Sequence, residues 1–552
     1  NNNKIVSILV GLLLAGTLFY PTFQPYLVFI VMNALVFLNA GILYSNLEHG
    51  SGWTGRILGI SVLAFTQITL TQLYPGLLGY LTFDNEMLAQ IICLGITLLC
   101  VWSGWLRVPS RQGCRQALSD LWQSVVTVTA ADGRTILSCI LTGGIFAFVF
   151  AVSALNPPIS HDALTFHLAK TVDWMQSGRI PMQLEPGFAY PYGVNLLNSW
   201  LIFPFHHDFI VRLSQTPVIL LGALGGYGIC RNLGLERALS LITALAVLTF
   251  PAYLANGICL TNPDTLMAGT LLVSLYFAVS LAQSYKSGTV LLLALSLGLL
   301  LQSKYNSLYY GAAIIWLVIH AWNRGRKSKG WSGTIMAQGV MLTLVPIAVG
   351  GAAYLLYDYS ERLPLPFNSL RQGVATGFTP DAKYNPFTPT FSLVSFVISP
   401  GSLRNMGLTL IFGLFALYGI VKLFGSGRRQ ELVLPIFLCL PIVVSLGVYK
   451  LFGYYSDHQA TRHLLGTIAL CVILGGWTVS VLEKPNQSYG AWALVGVIVI
   501  STMLGFFRQW PLHQLPTDLA AMGIAVLVAG IMWWLLVYKR RTGVLPDFIK
   551  KK

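Results

Sequence analysis

Charge is what this sequence has least of. Asp, Glu, Lys and Arg make up 10% of its 552 residues, against roughly 25% in soluble globular chains. That scarcity excludes an ordinary soluble enzyme. Cysteine is sparse and unpatterned: the eight residues at 93, 100, 114, 139, 230, 259, 439 and 471 show no CxxC or metal-ligand spacing. Lying mostly within apolar runs, they read as small buried hydrophobes rather than a disulfide framework or zinc site. A Gly-rich phosphate loop in a strand–helix setting is missing, which argues against an ATP-driven pump. GxSxG and HExxH are missing too. No inverted repeat of broken helices marks a secondary transporter.

What the chain has instead is apolar length. Hydrophobic residues are 55% of the total, and runs long enough to span a bilayer recur from end to end. The pattern predicts an all-α polytopic membrane protein with about sixteen transmembrane helices. The expected spans are 5–20, 26–44, 56–76, 87–105, 135–155, 211–230, 238–256, 265–284, 288–303, 307–322, 334–357, 404–424, 433–451, 462–482, 489–506 and 517–537. The first reads as a retained helix, since no small-residue cleavage pattern follows it.

Charge sets the orientation. With both termini inside and sides alternating, roughly two-thirds of the Lys and Arg fall inside, as the positive-inside rule requires. The clusters include Arg107/Arg111/Arg115, Arg324/Arg326/Lys327/Lys329, Arg428/Arg429 and Lys539/Arg540/Arg541. The whole net charge of +15 then lies on one face. The basic balance reflects membrane topology and gives no reason to expect nucleic-acid binding.

Four regions follow. Residues 1–105 form a four-span module of no evident role, and 106–134 form a basic amphipathic connector suited to an anionic inner leaflet. Residues 135–482 form the core, with outer loops 156–210, 257–264, 358–403 and 452–461. Residues 483–552 add two spans and a basic tail. Loop 358–403, rich in Pro, Ser, Thr and aromatics, carries Arg362, Arg371, Asp381 and Lys383. It is read either as a cover for the acceptor side of a site or as a passive linker.

Polar side chains concentrate in the first long outer loop. ISHDALTFHLAKTVDWMQSGRIP, residues 159–181, follows Pro157-Pro158. Ser160 suits an N-cap, and Asp162 in the first turn favours the helix dipole. Leu164, Leu168, Val172 and Met175 make one apolar stripe, and Gly178 a stop. The spacing predicts an amphipathic helix in the outer interface. YPYGVNLLNSWLIFPF, residues 190–205, is too short and interrupted for a span and predicts a second interfacial or re-entrant helix. Metal binding by His161, Asp162 and His167 is disfavoured: positions 162 and 167 do not share a helical face, and His161 and Asp162 diverge by about 100°.

In this order, the features resemble the polytopic GT-C glycosyltransferases, nearest to the protein mannosyltransferase and aminoarabinose transferase type. An outer loop holds Asp162, followed by WMQSGRIP. YPYGVNLLNSW comes next, and then FIVRLSQTPVILLGALGGYGICRNLGL with Arg212. LANGICLTNPDTLMAGTLLVSLYFA brings a second carboxylate, Asp264; LGLLLQSKYNSLYYGAAII brings Lys304; TRHLLGTIAL brings Arg462 and His463. The likeness covers roughly residues 135–480. Many relatives have Asp-Glu at the first site, where this chain has His161-Asp162. The first four spans have no counterpart in the likeness.

The resemblance implies inverting transfer of a sugar from a polyprenyl-phosphate donor to an acceptor on the outer face, the acceptor itself being undetermined. It makes the lipid-linked sugar and membrane lipids the partners; no cofactor is expected, although some oligosaccharide-transferring relatives need a divalent ion and leave a metal open. Asp162 would take the acceptor's proton or hold the acceptor, and Asp264 would support it; their bland readings are helix caps. Lys304, Arg462 and Arg212 would bind the donor phosphate, against the reading of cations snorkelling to the interface. His161, His167 and His463 would orient substrates. A compact chain without an added lumenal domain points to a bacterial inner membrane. Two other functions stay open on sequence: a transporter or flippase of a lipid-linked saccharide, and an inert GT-C-like subunit of a membrane complex.

Overall fold

The structure, a computed structural model, describes residues 24–47, 52–109, 133–155, 163–180, 191–250, 263–304, 307–329, 333–352, 409–425, 432–452, 464–482, 491–496 and 498–500, with a few single or short stretches besides (119, 123, 158, 253, 355 and parts of 523–530). Most of these are helical, joined by turns and short irregular stretches, and no strand occurs among them. Eight of the described helices are long and apolar enough to cross a membrane, and several shorter apolar helices accompany them. The chain is an all-α polytopic membrane protein. The expected run 5–20 lies outside the described residues; from 26–44 through 462–482 each expected span overlaps a helix.

Three helices come first: α1 (Gln24–Ser45), α2 (Trp53–Leu78) and α3 (Phe83–Trp102). Thr82 caps α3 by accepting from the Asn85 N–H, with Asp84 and Glu86 in the first turn, where the helix dipole favours acids. Few α3 residues are buried: Glu86, Gln90 and Thr97. Polar side chains therefore make the contact. Asn39 donates to Gln67 at 2.6 Å, Gln67 to Gln90 at 2.5 Å, and Gln90 to Thr71 and Glu86 at 2.7 and 2.6 Å. In lipid, apolar surface gives helices no reason to associate, and interhelical hydrogen bonds are one substitute.

The core continues with α4 (Gly133–Leu155), a π turn (Ala163–His167), α5 (Leu168–Ser177), α6 (Gly193–Phe205) and a 3-10 turn (Val211–Leu213). Then follow α7 (Thr216–Asn232), α8 (Arg237–Thr249), α9 (Pro263–Gln283), α10 (Ser287–Leu301), α11 (Ser307–Lys329) and α12 (Gly333–Pro346). After a gap come α13 (Thr409–Gly425), α14 (Val433–Phe452) and α15 (Leu465–Leu482). α9 is the hub, buried almost along its whole length and packed against α7, α10, α11 and α15. Here the second substitute operates, close approach over small residues. A Cβ on Gly222 of α7 would lie 2.8 Å from the Cα of Gly269 on α9. Any larger side chain there would push the two backbones apart.

The helix ends gather as alternating topology requires. At one end the α2–α3 turn meets the end of α5: the Leu81 N–H donates to the Gly178 carbonyl (2.7 Å) and the Ile180 N–H to the Gly76 carbonyl (2.8 Å). The starts of α6, α7, α9 and α11 and the end of α10 share that end. At the other, Asn46 donates to the Arg107 carbonyl, Gln283 to the Asn232 carbonyl and Arg324 to the Ala282 carbonyl.

Two local expectations need comment. The helix expected from residue 160 is described from Ala163, as a π turn leading into α5, and ends as expected at Gly178 (φ +66°). Its buried side is Ala163, His167, Leu168, Thr171 and Trp174, whereas Leu164 and Val172 are exposed. Of the expected stripe only Leu168 is among the buried residues; the buried side is completed instead by Ala163, His167, Thr171 and Trp174. The 190–205 stretch forms α6, buried on nearly every side. At about 20 Å it is too short to span, in keeping with a re-entrant helix.

Candidate functional site

The site is built where α9 begins and α10 ends. These antiparallel neighbours bring Asp264 and Lys304 together across 40 residues of sequence, and the Lys304 ammonium donates to Asp264 Oδ1. Both residues are buried, at 1% and 6% exposure. α9 starts at Pro263, which puts Asp264, whose bland reading is a helix cap, inside the first turn. Lys304 does not reach for the interface but turns inward. In a medium of low dielectric, removing one member of such a pair is strongly destabilising.

Gln215 supports this pair from α7's leading edge. It is fully buried, and its side-chain oxygen accepts from the Leu266 N–H at 3.1 Å, satisfying one of the first-turn amides of α9. On the far side of α10's end, the Gln302 carbonyl accepts from the Gly193 N–H at 3.0 Å and its amide donates to Thr69 at 3.0 Å. The start of α6 is thereby tied both to the Lys304 turn and to α2.

Arg212 lies in the 3-10 turn and is 4% exposed. Its neighbour Val211 packs with Ala163, Leu168 and Ile202. The turn carrying Arg212 thus lies against the π turn whose first residue directly follows Asp162. His167 is buried in that π turn, and its carbonyl accepts from Asn195 of α6 and from Thr171, both at 2.7 Å. Lys170 lies over the rings of Trp174 and Tyr192, 5.6 and 5.3 Å from their centroids. His161, Asp162, Arg462 and His463 lie outside the described residues, as do loop 358–403 and nearly all of loop 452–461.

Several buried polar atoms around this end have no hydrogen-bond partner among the described residues: both amide atoms of Asn198, and the hydroxyls of Ser214, Thr265 and Ser307. Such atoms are costly unless something polar reaches them. Among the described residues no group of three His, Cys, Asp or Glu side chains is placed to hold a metal ion.

Beside Lys304 opens an apolar groove between α10, α11 and α12, a cavity of about 300 Å3. Ser307, Gly311, Ile314, Ile315 and Val318 line it along one face of α11, opposite Leu297 and Leu301 of α10 and Leu342 of α12. Ser307 stands at its head, its N–H donating to the Lys304 carbonyl at 2.9 Å. Ile315, lower down, is 56% exposed, so the groove opens sideways. From Ser307 to Val318 it runs about 16 Å.

Sequence reading named Asp264, Lys304, Arg212 and His167, and the structure joins the first two directly. It missed Asn195, Gln215, Gln302 and Ser307. Their signal was an amide or hydroxyl within an otherwise apolar run, which composition alone does not separate from a surface position.

No curated protein matches the sequence. Among solved structures the chain is similar to the Archaeoglobus fulgidus oligosaccharyltransferase in its crystal structure with zinc and sulfate. The TM-score is 0.39 at 13% identity, over 69% of this chain and 53% of that one. It is also similar to the archaeal oligosaccharyltransferase AglB from the same organism, bound to an inhibitory peptide and a dolichol-phosphate. There the TM-score is 0.37 at 13% identity, over 70% and 56%. The chain spans about half the length of these structures. The family model for dolichyl-phosphate-mannose-protein mannosyltransferases matches residues 197–349. That stretch holds Arg212, Asp264, Lys304 and the groove beside them, and through it this chain resembles the GT-C class of membrane glycosyltransferases.

Proposed function

We propose that this chain transfers a sugar from a polyprenyl-phosphate donor to an acceptor hydroxyl or amine, with inversion, on the outer face of its membrane. The observation that carries the reading is the buried Asp264–Lys304 pair close to an apolar groove that opens sideways, the two joined through Ser307 at the groove's head, whose N–H donates to the Lys304 carbonyl. An isoprenoid chain fits such a groove, and its phosphate would then lie beside Ser307 and Lys304. The matched family, described by a dolichyl-phosphate-linked sugar, supports the same donor class.

The steps follow from this placement. The acceptor's oxygen or nitrogen attacks the anomeric carbon from the side opposite the phosphate. The bond from that carbon to the phosphate oxygen breaks, and polyprenyl phosphate leaves with the electron pair. Lys304, with Arg212 and Arg462, stabilises the charge that develops on the phosphate. Asp264 keeps Lys304 charged and aimed. Asp162 receives the acceptor's proton. His161, His167 and His463 orient the substrates. The groove runs from the end where the expected outer loops meet, which is why the outer face is assigned.

The test is transfer from a panel of synthetic polyprenyl-phosphate sugars by the purified chain in lipid nanodiscs. The expected result is turnover by the wild type, loss of about 100-fold or more in Lys304→Met, and comparable loss in Asp162→Asn. Replacing Ile315 by Asn should raise KM for long-chain donors more than for short ones. Full activity in Lys304→Met would overturn the reading, and a wild type silent on every donor would point to the inert-subunit alternative.

A further inference from the structure

The matched family region begins within α6, so α1–α3 lie wholly outside it. Yet two buried glutamines and a pair of main-chain bonds tie α2 to the loops that carry the site. Gln72, fully buried, donates to the Leu196 carbonyl of α6 at 3.1 Å and accepts from the Ser199 hydroxyl at 2.5 Å. One turn earlier, Thr69 accepts from the side chain of Gln302, and the Gln302 carbonyl accepts from the Gly193 N–H. Two residues on, Lys304 meets Asp264. A Cβ on Gly193 would come within 2.9 Å of that Gln302 carbonyl oxygen and 3.0 Å of Leu266 Cδ2 on α9. Gln302 is therefore a junction of three elements: α2 through its side chain, α6 through its carbonyl, and the Lys304 turn by covalent continuity.

We infer that the N-terminal helices are a working part of the site: Gln302, held by Thr69, is a positioning residue that fixes Lys304 and the start of α6 relative to one another, with Gln72 holding α6 in register. The inference rests on the transferase reading for its kinetic test but not for its structural one. A buried glutamine has a strong demand for a partner, since an amide stranded in a low-dielectric interior is costly. Thr69 supplies that partner only while α2 stays docked. A shift of α2 is then passed to the Lys304 turn rather than absorbed by slack side chains.

Thr69→Val removes the acceptor while keeping the branched shape, Gln302→Leu removes the donor, and Gly193→Ala forces α6 off the Gln302 carbonyl. In the full chain, each is expected to lower kcat by about tenfold while KM for the donor changes less than twofold. The double variant Thr69→Val/Gln302→Leu is expected to lose no more than either single. Hydrogen exchange of the 191–205 segment should rise about tenfold in each variant, with Leu465–Leu482 unchanged. Unchanged kcat in both Thr69→Val and Gln302→Leu overturns the inference. So does exchange that rises equally everywhere, which marks a merely structural role. If the wild type transfers no sugar, the transferase reading fails and the exchange of 191–205 alone decides the positioning role: local loosening upholds it, and no change ends it.

Discussion

Among the described residues two carboxylates are buried, and they are accommodated in opposite ways. Glu86, on α3, is 2% exposed and surrounded by neutral groups, accepting from Thr71 and Gln90. Asp264, on α9, is 1% exposed and takes the ammonium of Lys304. The first belongs to a ladder of amides and hydroxyls that fastens α3 to α2; the second belongs to a helix otherwise packed through glycines and aliphatics. The lesson is that a buried acid in a membrane protein has to be read through its partners. Neutral partners make it a fastener that an amide can replace. A cationic partner makes it half of a charged device that no neutral group can stand in for.

Breaking the charged pair gives the largest effect. Lys304→Met leaves Asp264 buried without its cation and should lower stability by about 3–5 kcal/mol. Thermal unfolding in detergent measures it, and Asp264→Leu/Lys304→Met should recover most of the loss. If the double variant is no better than the single, the pair is not coupled as described. Next comes the glycine contact on the same helix. Gly269→Val would thrust a side chain into the Val218 carbonyl and should cost about 1–3 kcal/mol by overpacking. Smallest is Glu86→Gln, which preserves shape and hydrogen-bonding reach and should change stability by no more than about 0.5 kcal/mol. A loss there as large as that of Lys304→Met would erase the distinction between the two acids.

Much of the architecture was legible in the amino-acid order because bilayer thickness imposes one length on every span. From 26–44 to 462–482 the expected spans find helices, and the short run 190–205, expected to be interfacial or re-entrant, forms a helix of 13 residues. Side of burial was harder. Along 163–177 the apolar stripe was expected to be the anchoring side, but Leu164 and Val172 face outward and the inner side is tied by Thr171, His167 and Asn195. Next to lipid, an apolar residue has no reason to prefer the inside, so periodicity finds the helix without telling which side is in. The site was legible as far as its charged members: Asp264 and Lys304 were both singled out. That they would pair with each other was not, since 40 positions separate them and only the antiparallel docking of α9 and α10 closes the distance. The amides at 195, 215 and 302 were missed for a related reason. Their partners are main-chain groups or hydroxyls contributed by distant helices.

The join between the α2–α3 turn and the end of α5 has an evolutionary consequence. Leu81 with Gly178, and Ile180 with Gly76, are linked through peptide groups alone. Every amino acid but proline brings the same N–H and carbonyl, so the bonds themselves specify no side chain, although Gly178 (φ +66°) and Gly76, whose Cβ would lie 2.7 Å from Ile180, are held as glycines by conformation and space. Homology searches that score side chains are blind to it. The leading helices could therefore lose all recognisable kinship with other chains of this architecture and still remain soldered to the same place.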